Sequence, residues 1–412
     1  MQIDAIYVAS EQLLFCNCIK MNPDSISSKG FYRLLDESLP AWAAAERNYF
    51  DKQAGLRKDQ IVLYGLGDLG RKILRMLRTQ GIEPLGIIDS KLAATNAIVE
   101  NLPCLSPAAG AKRWGDSAVF VISVFNQSGP CAFIDIRRDL EAGGAEKVVY
   151  FLPLLWKYAE IFLPYYSLDL PSKILGETDR IKQVFGLLGD ERSREDFAFF
   201  FETITSPSPE RTLPSFEPDR TYFPSDIGEL SKKEVFIDCG AFHGDNLVKL
   251  NQLTSGKFQK YVGIEPDPLN YVKLRQCLDS LRGSTAGICE IQPYGVGSQR
   301  DTIAFDSQGT ISSSIGGHGS TTIQIETLDR IIGENVPTSI KMDVEGFEVE
   351  ALKGGESLVI QFRPKLALCV YHVQNHLWVI PLLIKNMNSE YEIYIRRHRE
   401  YLDDVVCYAV SR

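Results

Sequence analysis

The strongest constraint on this chain is a short apolar run that ends in a carboxylate and gives way at once to glycines. Val235-Phe236-Ile237-Asp238 leads into Cys239-Gly240-Ala241-Phe242-His243-Gly244, and related runs return at Tyr261-Val262-Gly263-Ile264-Glu265, Ser339-Ile340-Lys341-Met342-Asp343 and Leu366 to His372. Near-continuous apolar strands separated by segments of helical spacing are buried on both faces, which means a parallel sheet covered by helices. The pieces Tyr391 to Ile395 and Val405 to Val410 read as a closing, antiparallel pair of strands.

The same rhythm occurs earlier. Ile61-Val62-Leu63-Tyr64 is a strand, Asp68 to Gln80 has helical spacing, and Pro84 to Asp89, Ala118 to Ile122 and Lys147 to Tyr150 are further strands, with a helix near Ala132 to Ala142. Between the two series, Gly176 to Thr205 reads as helical, and five prolines from Pro207 to Pro224 punctuate an extended stretch. At 412 residues the chain exceeds one ordinary core. The expected fold class is therefore α/β, with two doubly wound, Rossmann-like domains. The segments are a helical N-terminal piece (1–54), a nucleotide-binding domain (55–150), a helical, proline-rich connector (151–232) and a second domain (233–412).

Composition removes several alternatives. A net charge of -9 argues against wrapping nucleic acid or lying on an anionic membrane, since both need surplus Lys and Arg. The windows Ser117 to Ile134, Ser307 to Ile325 and Leu366 to Ile384 escape charge, yet each is too polar or too broken for a membrane span. Met1 to Ala5 lacks the basic start of a signal peptide, so the cytoplasm is the expected compartment. Nine cysteines without paired C-x-x-C knuckles fit reduced, mostly buried thiols better than zinc or disulfides.

In open α/β sheets, ligands bind at the carboxyl ends of the strands. Asp238, Gly240 and Gly244 form a D-x-G-x-x-x-G loop, and Glu265 follows Gly244 by 21 residues, a spacing suited to gripping the two ribose hydroxyls of an adenosine-containing cofactor. The leading acid separates this loop from the dinucleotide G-x-G-x-x-G and favours S-adenosylmethionine. Asp238, Gly240, Ala241, Phe242, His243, Gly244, Glu265 and Asp343 are the expected cofactor contacts.

Three ordered blocks, Glu234 to Asp245, Ile340 to Glu348 and Ala351 to Gly355, resemble the signatures of the FkbM family of class I methyltransferases, with softer agreement at Tyr371-His372, Leu377 to Pro381 and Tyr394 to His398. The resemblance spans about residues 175–412. It implies S-adenosylmethionine as methyl donor and a hydroxyl acceptor on a sugar or secondary metabolite. The loop departs from the commoner class I pattern by carrying Phe242 where a middle glycine often stands.

Methyl transfer to an alcohol needs alignment and removal of a proton. His372, ending a strand, is the first choice of general base, because an untuned imidazole is half-neutral near neutral pH. Asp343 and Glu345 follow as base, as orienters of the hydroxyl or as ligands of a divalent ion. The alternative is that they only begin a helix, where carboxylates suit the dipole. The pair His372 and His376 lacks the accompanying motif of a metal site, so no metal is expected there. The Ser- and Gly-rich stretch Thr310 to Ser320 reads as a mobile loop over substrate or as inert surface.

In the first series, Gly65-Leu66-Gly67-Asp68-Leu69-Gly70 fits G-x-G-x-x-G between strand and helix, and Asp89 ends the next strand 19 residues after Gly70. The ligand expected at Gly65, Gly67, Gly70 and Asp89 is NAD or a nucleotide-sugar, the alternative being an empty scaffold. For the whole chain, the rival to an active methyltransferase is a nucleotide-sensing or scaffold protein that binds cofactor without turnover.

Overall fold

The computed structural model describes residues 28–125, 133–209, 213–285, 287–306, 314–315, 321–399 and 402–411. Strands β1 (Ile61–Tyr64), β2 (Gly86–Ile88), β3 (Ile98–Val99), β4 (Leu102–Leu105), β5 (Val119–Ile122) and β6 (Val148–Tyr150) form one sheet in the order β3-β4-β2-β1-β5-β6. All neighbours are parallel except β3 with β4. The order reverses beside β1, so the crevice between β1 and β5 is the switch point of this sheet.

The second sheet takes β7 (Val235–Cys239), β8 (Lys260–Ile264), β9 (Ile288–Gln292), β14 (Ser339–Met342), β15 (Lys365–Cys369), β16 (Tyr391–Arg397) and β17 (Val405–Ser411) in the order β16-β17-β15-β14-β7-β8-β9. Strand β17 runs antiparallel to both its neighbours, the rest being parallel. A third, small sheet joins β10 (Gly295–Val296), β13 (Thr321–Glu326), β11 (Asp301–Asp306) and β12 (Ser314–Ile315). None of its strands is among those expected above, although Ile303 and Phe305 on β11 and Ile323 and Ile325 on β13 do alternate with polar or small residues. Apart from Ser314 and Ile315, the expected loop from Thr310 to Ser320 lies outside the described residues, as do residues 1–27 of the N-terminal piece.

Local chemistry explains the boundaries. Asp267 caps the helix Pro268–Ser280 by accepting from the Leu269 and Asn270 amides, and Pro268 needs no such partner at the first position. The long helical stretch expected from Gly176 is in fact two helices, Thr178–Leu187 and Glu191–Thr205. The break falls at Asp190, whose carboxylate takes the Ser193 amide at 2.7 Å. Likewise the helical N-terminal piece is interrupted by a π-helical turn at Leu34–Ser38.

The connector is fastened to the second sheet. Arg396, buried on β16, pairs with Asp190 at 2.6 Å and Asp226 at 2.7 Å, while Arg397 pairs with Asp196 at 3.3 Å. The N-terminal segment packs there too, with Phe31 stacked on Phe185 at 4.3 Å. One hydrophobic cluster runs from Phe31 through both large sheets to Ala409. That cluster crosses the boundaries drawn from the sequence, while three smaller ones lie within residues 222–410. Among the described residues six cysteines are free, four of them buried, and no helix is long and apolar enough to cross a membrane.

Candidate active site

The carboxyl ends of β7, β8, β14 and β15 converge on one region. Gly240 follows β7 with φ +78, and a Cβ there would stand 1.8 Å from the Asp343 carbonyl oxygen. Its lack of a side chain is required by the crossing of the two strand ends as well as by the turn. Phe242 adopts φ +48, the left-handed conformation that explains why glycine is common at its position. Its ring stacks on His243 at 3.6 Å. His243 Nε2 in turn meets Asn270 Oδ1 at 3.0 Å and Lys273 Nζ at 3.2 Å. Gly240 and Ala241 donate their amides to the Ile264 carbonyl at 2.9 and 3.0 Å, which pins the loop to β8.

Glu265, at the end of β8, accepts from the Phe242 amide at 2.8 Å and the Asp267 amide at 2.9 Å. Burial pushes its carboxyl up to about 7, against the pull of those two amides. Each oxygen keeps a lone pair for a ligand hydroxyl. Asp238 differs from the expectation of an acceptor open to a ligand. It is fully buried, and its oxygens take Tyr261 Oη at 2.8 Å, Asn246 Nδ2 at 3.3 Å and Lys341 Nζ at 3.1 Å.

Lys341, buried on β14, also donates to the Gly240 carbonyl at 2.6 Å and the Cys239 carbonyl at 3.2 Å. Burial opposes its charge, yet the carboxylates of Asp238 and Asp343 outweigh burial and raise its affinity for the proton. It stands within a block that resembles the family, but an isolated lysine in an apolar strand gave no hint of a partner on another strand.

Beyond β14 and β15 three ligating side chains gather: Asp343 and Glu345, half-buried, and His372, buried. His372 Nε2 lies 3.5 Å from Asp343 Oδ1 and 3.7 Å from Glu345 Oε2. Its Nδ1 is hydrogen-bonded to Glu348 Oε1 at 2.8 Å. Glu348 is fully buried and also accepts from the amides of Val344 at 2.9 Å and Gly346 at 3.3 Å. His376 Nδ1 stands 3.1 Å from Glu348 Oε2, close enough for an ion contact but off the hydrogen-bonding direction. Tyr222, from the connector, donates its hydroxyl to Asp343 Oδ2 at 2.8 Å.

This neighbourhood changes the chemistry of His372. Burial alone would strip its proton, but Glu348 first, then Asp343 and Glu345, hold the proton and push the imidazole up to about 9. The premise of an untuned, half-neutral imidazole does not hold here. Glu345 is pushed up to about 7 by burial, with Asp343 and Glu348 adding to it and His372 opposing. Its backbone is left-handed, φ +51. Glu348 remains ionised well below the usual carboxylate range: burial opposes its charge, and His372 and His376 outweigh burial. The helix begins at Glu348, so Asp343 and Glu345 precede it on the loop.

In the first sheet, Gly65 has φ +90, Gly67 faces open space, and a Cβ on Gly70 would stand 2.2 Å from the Gly65 carbonyl. The Asp89 carboxylate takes the Leu66 amide at 3.2 Å and caps its own helix through the Lys91 and Leu92 amides at 3.0 Å each. Tyr165 donates to Asp68 Oδ2 at 3.3 Å, and its ring lies 5.1 Å from that of Tyr166. The Tyr166 hydroxyl is raised first by burial and then by the charges of Glu345 and Asp68 together.

Two mixed, mostly parallel sheets, the second with a glycine loop, an acid-ended second strand and an antiparallel closing hairpin, define a Rossmann-like α/β protein whose second sheet has the class I methyltransferase fold. Residues 238–403 match the methyltransferase FkbM domain, so the C-terminal part of this chain carries an FkbM methyltransferase domain, for which S-adenosylmethionine is the implied methyl donor. The fold of the whole chain is similar to that of the methyltransferase FkbM from Methylobacillus flagellatus KT, with 22% identity and a TM-score of 0.73 over 91% of this chain and 99% of that one. A protein from Streptococcus mutans in complex with SAH matches 44% of this chain and 90% of its own, with 12% identity and a TM-score of 0.28. An rRNA methylase from Streptococcus thermophilus matches 44% and 91%, with 11% identity and a TM-score of 0.29. No curated protein matches the sequence.

Proposed function

We propose that the protein moves a methyl group from S-adenosylmethionine to a hydroxyl on a saccharide or secondary metabolite. The observation that carries this reading is the cluster of Asp343, Glu345 and His372 at the ends of β14 and β15, beside the Gly240 turn and Glu265. The residues suit the cofactor: Glu265 offers paired acceptor oxygens at the end of β8, beside the tight turn that starts at Gly240. When bound, S-adenosylmethionine supplies an electrophilic methyl carbon.

The chain's own residues would do the rest. Asp343, held by Tyr222, accepts from the acceptor hydroxyl and orients it. The hydroxyl proton leaves to the cluster. Glu345, whose affinity for a proton is matched to neutral pH, and His372, once it has lost its own proton, are the two groups able to receive it. Tyr166, whose hydroxyl feels the charge of Glu345, and Tyr165 against it offer apolar faces of the kind on which a sugar ring can rest. In the first sheet, the Gly65 to Gly70 turn is the proposed seat of a nucleotide, NAD or a nucleotide-sugar, with pyrophosphate at the amino end of helix Asp68–Thr79.

The test is transfer of labelled methyl groups from S-adenosylmethionine to a panel of free, phosphorylated and nucleotide-linked sugars, together with mass spectrometry of small molecules that co-purify. His372→Ala should lower the rate by roughly a hundredfold while sparing cofactor affinity. Binding of cofactor with no transfer to any acceptor would instead favour a protein that senses without turnover.

A further inference from the structure

The cluster at the ends of β14 and β15 has the chemistry of a metal site more fully than that of a simple acid–base pair. Its ligand atoms, one from each of Asp343, Glu345 and His372, all lie within 4.8 Å of one another. Donor atoms held about 2.1 Å from one ion sit roughly 3.0 to 3.5 Å apart. The 3.5 and 3.7 Å separations from His372 Nε2 need to close by only a few tenths of an ångström to meet that.

A group of carboxylates alone would mean little. The independent observation is the imidazole. The His372 side chain is 3% exposed, its Nδ1 is engaged by Glu348, and its Nε2 points between Asp343 and Glu345 while making no hydrogen bond among the described residues. A buried ring whose far nitrogen is fixed by a carboxylate, leaving the near one aimed at two oxygens, is the usual support of a metal-bound histidine. Glu348 is itself locked by two backbone amides, and Asp343 is held from behind by the Tyr222 hydroxyl. Each of these two ligands therefore has a supporting partner, while the half-buried third, Glu345, leaves one side open to solvent and substrate.

We propose that Asp343, Glu345 and His372 bind one divalent cation, with open positions for oxygens of the methyl acceptor. One nitrogen and two carboxylate oxygens favour manganese, iron, zinc or magnesium over soft ions such as copper(I). The use of the site rests on the methyltransferase reading: a coordinated acceptor hydroxyl loses its proton to water, its oxygen pair forms the new bond to the methyl carbon, and the old carbon–sulfur pair returns to sulfur. In that state Glu345 and His372 are both ligands, and water takes the proton that these two groups receive when no ion is bound.

The test uses Mn2+ and the full chain. Continuous-wave EPR should show one Mn2+ taken up per chain, and pulsed EPR should show nitrogen coupling to it. Glu345→Gln, a change at a half-exposed loop position, should weaken Mn2+ at least tenfold, and His372→Gln should abolish the nitrogen coupling. Absence of saturable uptake, uptake without nitrogen coupling, or wild-type affinity in Glu345→Gln each overturns the proposal. Calorimetry with S-adenosylmethionine on the same samples separates the two readings: cofactor binding without Mn2+ leaves the methyltransferase intact and removes only the metal.

Discussion

His372 Nδ1 and Glu348 Oε1 lie 2.8 Å apart with both side chains buried, so one carboxylate sets the position and the charge of the imidazole at the strand end. Their couplings to pH have opposite senses. His372 has its pKa raised in the fold, so its stabilisation is complete below its ordinary value of 6.5 and is lost as pH rises through about 9. Glu348 has its pKa lowered, so its contribution is present above its ordinary value of 4.5 and is lost as pH falls below it. The pair therefore stabilises the fold most between those two ordinary values.

Replacing Glu348 with Gln should bring the His372 pKa down from about 9 toward 6.5, read by NMR titration of the imidazole. Urea denaturation should then lose its decline in stability across that same interval. Glu348→Ala should cost about 3 to 5 kcal/mol, because it leaves a buried charge without its partner.

Glu265 should make cofactor affinity depend on pH. With the carboxyl pushed up to about 7, the ionised form proposed to accept two ribose hydroxyls is only half populated at neutrality. S-Adenosylmethionine should bind more tightly as pH rises through about 7, and Glu265→Gln should flatten that rise in calorimetry. Glu265→Ala should weaken binding tenfold or more, as expected for charge-assisted hydrogen bonds of about 1.5 to 3 kcal/mol.

Gly240 and Gly67 should respond oppositely to alanine. At Gly240 a Cβ meets the Asp343 carbonyl at 1.8 Å in a left-handed backbone, so Gly240→Ala should destabilise the protein measurably and disturb the cofactor loop. At Gly67 nothing stands within 4 Å, and melting of Gly67→Ala should match the wild type.

That openness makes Gly67→Val a clean probe of the first sheet. If a nucleotide sits there, a ligand at a hundred times its dissociation constant should add about 2.7 kcal/mol to the stability of the wild type and nothing to the variant. The measurement belongs on the full chain, since the apolar core is continuous from Phe31 to Ala409 and residues 55–150 do not own a separate one. Cofactor binding in the second sheet should be the same in both proteins.

The alternation of apolar strands and helices, the acids Asp238, Glu265 and Asp343 at strand ends and the glycine turns are legible in the chain, because these are matters of local periodicity and backbone conformation. Even Phe242 is legible in this way, once its position is seen to need the left-handed region. Tertiary structure decided what those residues can do. Asp238 reads as an open acceptor until Lys341 and Tyr261, brought from neighbouring strands, occupy it. Tyr222 reaches Asp343 across 121 residues of chain, and no pattern around Tyr222 announces it. Glu348 stood in plain view beside Asp343 and Glu345, yet only strand order places it under His372. Protonation follows from burial and from the charges that surround a group in space, so the state of His372 belongs to the packed sheet and not to any stretch of sequence.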